Sequence, residues 1–262
     1  MPVVSPSHDL KYYRPGVTNT LMIHIGTSGW SYDHWENVLY PVGLPAAKRL
    51  AHYVDAFDTV ELNASFYRWP RPAVFAGWRR RLPPGFVMSV KAPRGLTHAK
   101  KLYAPEAWAE RIGAGWHELG DRRGVLLVQL GPGQARDDAR LGFFLGSLPR
   151  WIRVAVEFRH ESWVDDGVFA LLERHGAAYC VMSGAGLPCV LRATAPFVYL
   201  RLHGPAHDSL YAGSYSDADL RWWADRIREW QADGREVFAY FNNDGAGHAV
   251  RNAWTLRAEL GA

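Results

Sequence analysis

Short apolar runs recur along the chain, and most of them end in a polar side chain. In Arg153-Val-Ala-Val-Glu-Phe158, Val154, Val156 and Phe158 alternate with Arg153, Ala155 and Glu157, the period-two signature of a strand. Thr59-Val-Glu-Leu-Asn63 sets Val60 and Leu62 against Glu61 and Asn63. The run from Phe86 ends in Lys91 and the run from Val125 ends in Gln129. Val198 to His203 carries Arg201 and His203 on one parity, and Val237 to Asn242 carries Tyr240 and Asn242. Met22 to Gly26 and Ala178 to Met182 complete eight predicted strands. A strand inside a parallel sheet is normally apolar on both faces. Wetting where a strand leaves the core explains one or two polar ends better than it explains a repeated pattern.

Helical segments are predicted between the strands: from Pro45, where Leu50, Val54 and Phe57 have apolar helical spacing, then over 72–82, 105–119, 137–148, 165–175 and 217–231, with a last one ending near Leu260. Gly184 to Pro196 is too short for a crossover helix and its turns. The alternation predicts an α/β fold, a (β/α)8 TIM barrel with an irregular connection between strands six and seven. It would form a single domain over residues 21–262, after a poorly ordered arm over residues 1–20. Ala155 and Glu157 then face the barrel interior, and the polar strand ends converge on the C-terminal mouth, where such barrels carry their sites. An open doubly wound sheet is the alternative, but Gly26 and Gly29 do not make a dinucleotide fingerprint.

Composition narrows the function classes. Of the 262 residues, 48% are hydrophobic and 21% charged, as in an ordinary globular protein. A net charge of +4 over this length is a mild bias, whereas a dedicated nucleic-acid binder usually shows a basic stripe. Cys180 and Cys189 make neither a disulfide framework nor a zinc-ligand pattern. The first residues lack a signal-peptide core and no run approaches a membrane span. The expectation is a cytoplasmic protein without membrane association and with no evident partner protein.

Glu61 and Glu157 are the two carboxylates predicted at inward-facing strand ends. Such a pair divides acid and base duties when its surroundings push the two pKa values apart; the alternative is that each neutralises Lys91, Arg159 or Arg201 in a buried ion network. Lys91 reads as an anion clamp, or else as an ion-pair partner of Glu61. His98, His160 and His203 are candidate proton carriers, each equally able to serve as a structural hydrogen-bond donor. Loop aromatics, among them Trp30, Tyr32, Trp35, Phe66, Tyr67, Trp69, Trp163, Tyr211 and Tyr215, would stack on a sugar or base, or pack the loops together. Asn242-Asn-Asp-Gly-Ala-Gly247 resembles an anion-holding turn before a helix, or simply a glycine turn.

The motifs together point to one family. Gly26-Thr-Ser-Gly-Trp-Ser-Tyr32, Val60-Glu-Leu-Asn-Ala-Ser-Phe-Tyr67, Lys91 with Thr97-His98, Glu157-Phe-Arg-His-Glu-Ser-Trp163, Arg201-Leu-His-Gly204 and Tyr240-Phe-Asn-Asn243 resemble the YecE-like family of proteins of unknown function, domain of unknown function 72. The resemblance runs from about His24 to Leu256. It implies a TIM barrel related to the xylose isomerase and endonuclease IV-like barrels, and it implies no particular reaction. Two positions depart from the pattern: Gln129-Leu-Gly-Pro stands in place of a Gln-Phe-Pro-Pro-like turn, and Ser183 in place of a common Asp. Related barrels hold metals with many Asp, Glu and His side chains. Here Lys91, Gln129, Arg201 and Asn242 occupy strand ends instead, so neither a metal nor another cofactor is expected.

The leading functional reading is a metal-independent enzyme, a hydrolase, acting on a small anionic or sugar-phosphate-like substrate. Glu61, Glu157 and His203 would be catalytic. Asn63, Tyr67, Lys91, His98, Gln129, Arg159, His160, Trp163, Arg201, Tyr211, Tyr215, Tyr240, Asn242 and Asn243 would bind substrate. Nucleic-acid binding or phosphodiester processing is a second reading, and a non-catalytic ligand-binding barrel a third.

Overall fold

The alternating runs form eight strands: β1 (Ile23–Thr27), β2 (Thr59–Leu62), β3 (Val87–Lys91), β4 (Arg123–Leu130), β5 (Val154–Phe158), β6 (Ala178–Ser183), β7 (Phe197–Leu202) and β8 (Glu236–Phe241). The computed structural model describes residues 22–262, so the arm expected over residues 1–20 lies outside the described residues. The strands pair in parallel in the order β1-β8-β7-β6-β5-β4-β3-β2. This is the nearly closed (β/α)8 barrel that the alternation predicts. Around it stand α1 (Ala46–Tyr53), α2 (Ala64–Tyr67), α3 (Pro72–Arg81), α4 (Glu106–Leu119), α5 (Asp138–Ser147), α6 (Asp166–His175), α7 (Asp217–Ala232) and α8 (His248–Leu260).

Local chemistry sets these boundaries. Pro72 opens α3 where its missing N–H costs nothing. Asp137 caps α5 and Asp165 caps α6, while Ser216 and Asp219 form a reciprocal capping box on α7. No helix stands between β6 and β7. Instead Thr194 folds back on β6: its hydroxyl accepts from Tyr179 N at 2.8 Å and donates to the Ala177 carbonyl at 2.7 Å. The stretch after Lys91, outside the predicted helical segments, contains a π-helical turn over Gly95–Ala99. Gly95 permits it, because a Cβ there would lie 2.8 Å from the Trp108 ring.

The parity of the strands divides the apolar side chains into two separate clusters. Val87, Val125, Leu127, Ala155, Cys180, Tyr199 and Tyr240 pack inside the barrel. Val60, Val90, Leu126, Val128, Val154 and Val156 join the larger cluster that includes the helices. Glu61, Ser89, Gln129, Glu157 and Arg201 share the inward parity and are all buried.

The seam between β1 and β2 closes by a different device. Ser28 and Glu61 form one isolated bridge, with Gly29 N donating to the Glu61 carbonyl at 2.8 Å. One level lower, the Tyr53 hydroxyl from α1 takes the place of a ladder bond. It accepts from Thr27 N at 3.2 Å and donates to the Thr59 carbonyl at 3.1 Å. Gly26 lets the strands approach, since a Cβ there would meet the Thr59 oxygen at 2.4 Å. Tyr53→Phe keeps the ring packing but leaves a buried N–H and a buried C=O without that partner. It is expected to lower stability by about 1–3 kcal/mol in urea unfolding, and an unchanged unfolding midpoint would contradict this account of the seam.

Candidate active site at the barrel mouth

Strands β2, β5 and β7 bring Glu61, Glu157 and Arg201 together near the C-terminal end of the barrel. Arg201 is fully buried between the two carboxylates. Its Nε donates to Glu61 Oε2 at 2.9 Å and its Nη2 to Glu61 Oε1 at 2.8 Å, a bidentate fork. Its Nη1 donates to Glu157 Oε2 at 2.5 Å. Ser28 Oγ and Tyr199 Oη complete the shell of Glu61 at 2.5 and 2.7 Å. Gln129 Nε2 donates to Glu157 Oε1 at 2.6 Å, and Arg159 Nε donates to the same oxygen. Burial alone would raise the Glu61 pKa, but the charge of Arg201 and the bonds from Arg201, Ser28 and Tyr199 hold it below the usual carboxylate value. Glu157 is held further down, burial being outweighed by Arg201, Arg159 and His203. Both carboxylates are therefore ionised near neutrality, and most of their acceptor sites are filled.

Beneath this layer Tyr240 ties the barrel together. Its hydroxyl pairs with Thr59 Oγ1 at 2.7 Å and Ser89 Oγ at 2.9 Å. Ser89 Oγ also accepts from Val125 N at 3.0 Å, where the β3–β4 register shifts. Above it, His203 is enclosed by Arg159, Asn242 and Tyr211: Arg159 Nη2 lies 3.3 Å from Nε2, Asn242 Nδ2 lies 3.1 Å from Nδ1, and the Tyr211 ring stands edge-on. Burial, reinforced by the Arg201 charge, lowers the His203 pKa to about 4, so the ring is neutral under ordinary conditions.

Lys91 differs from the two arginines. It makes no ion pair among the described residues, and its Nζ rests 4.4 Å from the centre of the Phe66 ring. Burial and then the Arg201 charge lower its pKa to about 8, against the opposing pull of Glu157 and Glu61. One step beyond the Leu62–Val90 pair, Asn63 stands level with it, and Asn63 Oδ1 has no hydrogen-bond partner among the described residues. The π-helical turn carries His98 against Phe66, the two rings nearly perpendicular. Burial and the charges of Lys91, Arg94 and Arg159 lower the His98 pKa. With the Thr97 hydroxyl donating to the Pro93 carbonyl, His98 Nδ1 donates to Thr97 at 2.9 Å and Nε2 is left as an acceptor. His98, Gln129, Arg159, Leu187 and Tyr211 line a cavity of about 320 Å³.

Several residues expected to face a ligand are engaged elsewhere. Arg201 and Tyr240 are saturated within the barrel, as just described. Trp163 is buried, stacked on Phe158, with its indole N–H on the Gln134 carbonyl. Tyr215 is buried too, accepting from Gly204 N and donating to Ser183, the departing position at the end of β6. Asn243 is turned from the mouth and donates to Gly213 O and Asn252 Oδ1. Asp244 in the same turn fastens the β1 loop by accepting from the Trp35 indole at 2.7 Å. Trp35 and Trp69 are core residues. His160 Nδ1 accepts from Ser162 N and caps the start of a short 3-10 turn. Tyr67 and Tyr211 remain exposed, at 81% and 45%. Tyr199 and Ser28 were not anticipated; Tyr199 shares the parity of Arg201 and was legible there, whereas nothing in the sequence around Ser28 announces its bond to Glu61.

Among the described residues, no three His, Cys, Asp or Glu side chains gather to hold a cation. Arg201 occupies the space between the carboxylates where one would sit. Arg201→Met should cost about 3–5 kcal/mol at neutral pH, since it strands two buried charges. The sign of its pH dependence follows. In the wild type the depressed carboxylate pKa values contribute stability above about pH 4.3 that is lost as pH falls through the folded values. In the variant the carboxylates bind protons more readily, so the gap from wild type should narrow between pH 7 and pH 5 in urea unfolding. A gap independent of pH would contradict the assignment.

The sequence and the fold both have known counterparts. The model of the family described as "Protein of unknown function DUF72" matches residues 24–262. The UPF0759 protein YunF of Bacillus subtilis is 26% identical over 268 residues, covering 88% of this chain and 92% of that protein. The UPF0759 protein YecE of Escherichia coli K12 is 29% identical over 150 residues, 56% of this chain and 52% of that one. The crystal structure of a DUF72 family protein from Thermotoga maritima aligns with a TM-score of 0.81 at 28% identity, covering 92% of this chain and all of that one. One from Enterococcus faecalis V583 aligns at 0.77 and 18% identity, covering 92% of this chain and 96% of that one, and supports the fold alone. A barrel of this topology, matched over nearly its whole length, makes this chain a member of the DUF72 family.

Proposed function

We propose that the barrel mouth binds a small anionic, sugar-like molecule and moves protons on it without a metal. The observation that carries the reading is a charge count. Glu61 and Glu157 face Arg201, Arg159 and Lys91; the two arginines pair with the two carboxylates, and Lys91 is left over. A cation without a counter-charge in a half-buried site favours an incoming anion. Asn63, level with it by strand register, leaves its Oδ1 without a partner among the described residues, which suits a ligand hydroxyl. The cavity of about 320 Å³ lined by His98, Gln129 and Arg159 suits a small molecule.

The division of labour differs from the one two carboxylates suggest. With Glu61 and Glu157 held ionised, neither is suited to act as a general acid, so hydrolysis by a carboxyl pair loses support. His98 and Lys91, both with lowered pKa values, are the groups fitted to carry protons. Nucleic-acid binding is less well supported, because a polyanion calls for a row of free cations and at the mouth Arg159 and Arg201 are already paired.

Calorimetric titration with sulfate, inorganic phosphate and a sugar phosphate tests the reading. Binding should weaken by about tenfold or more in Lys91→Met, a loss of about 1.4 kcal/mol. It should also weaken in the wild type as pH rises through about 8, where Lys91 loses its proton. No binding at millimolar concentration, or undiminished binding by Lys91→Met, would overturn it.

A further inference from the structure

We infer that Lys91 is a covalent group, whose amine condenses with the carbonyl carbon of a small aldehyde or ketone bearing a carboxylate or phosphate. The inference rests on the anion reading above and adds to it the substrate class and the bond formed.

Geometry is the first support. Lys91 stands at the end of β3 among inward-facing strand ends, yet no carboxylate lies within ion-pair distance of it among the described residues, where Glu61 and Glu157 are bound by arginines. It rests on Phe66, an apolar neighbour that leaves its nitrogen free of hydrogen-bonded competitors. Choice of residue is the second. Of 30 basic side chains the lysines are only Lys11, Lys48, Lys91, Lys100 and Lys101, so arginine is this chain's usual cation. An arginine would clamp an anion better through its planar fork, but it cannot give up a proton and attack. Reactivity is the third. With its pKa at about 8, on the order of a tenth of the amine is neutral at pH 7, against less than about one part in a thousand for an ordinary lysine.

The step balances without an oxidant or reductant. The neutral Nζ attacks the carbonyl carbon, and the nitrogen gives up one proton as the carbonyl oxygen takes one up, leaving a neutral carbinolamine. A further proton goes to its hydroxyl, which leaves as water while the nitrogen lone pair forms the C=N bond. Amine, carbonyl and one proton thus give a protonated imine and water. His98 is the group placed to relay protons: it shares Phe66 with Lys91, and the Lys91 charge acts on it. The positive imine keeps the charge that the anionic group of the substrate answers.

Reductive trapping tests the inference. The full chain is incubated at pH 7 with glyoxylate, an anionic aldehyde, or with glycolaldehyde, its neutral counterpart, then reduced with borohydride and mapped by peptide mass spectrometry. Glyoxylate should label Lys91 at least about tenfold ahead of Lys48, Lys100 and Lys101, and sulfate should suppress the label. Lys91→Arg should abolish that label while still binding sulfate. Equal labelling of Lys91 by both aldehydes would overturn the anionic substrate class. No preferential label at Lys91 in protein that still binds sulfate would overturn the covalent role and leave the anion reading standing. Absence of both label and sulfate binding would overturn both.

Discussion

A guanidinium buried between two carboxylates is the constraint on which the upper half of this barrel depends. Arg201 cannot leave its site without stranding Glu61 and Glu157, and neither glutamate can be removed without stranding Arg201. The trio joins β2, β5 and β7 across the interior, where an apolar barrel would rely on packing alone. Such a network is weak evidence of stability gained, because desolvating three charges offsets much of the attraction. What it fixes is geometry: each oxygen of Glu61 has its own donors, and Glu157 is shared between Arg201 and Arg159.

That arrangement determines what the remaining groups can do. The carboxylates are held ionised, His203 is held neutral, and the positive charge left over is on Lys91. A lysine in this position differs from a paired one in two respects that share one cause. Desolvation and the nearby Arg201 make its protonated form unfavourable, which both invites an anion and frees a fraction of the amine to act as a nucleophile. Phe66 and the turn carrying His98 supply the wall and a proton-accepting nitrogen. The anion-binding and covalent proposals therefore rest on the same electrostatic imbalance.

The strand pattern of the sequence carried most of the fold. Period-two alternation identified the eight strands to within a residue or two at each end, and the short stretch from Gly184 to Pro196 pointed to the missing helix. The inward parity of Glu61, Lys91, Gln129, Glu157 and Arg201 was legible for the same reason: a strand has only two faces. The pairing among those side chains was not. Alternation says which side chains point inward, but not that Arg201 spans to two other strands and uses up its own donors. The aromatic residues left two readings open for the same reason, since Trp35, Trp163 and Tyr215 carry polar atoms whose partners come from distant loops. The Tyr53 bridge at the seam depends on how closely β1 approaches β2, which no local pattern encodes.

The protonation equilibrium of Lys91 tests the account most directly. Protein labelled with carbon-13 at lysine Cε, titrated by NMR with Lys91→Met to assign the resonance, reports it without any ligand. The account predicts a midpoint near 8 for Lys91, well below the other lysines. A midpoint at about 10.4, the value of an ordinary exposed lysine, would mean that Lys91 has a counter-charge or free access to water, and would contradict the central claim.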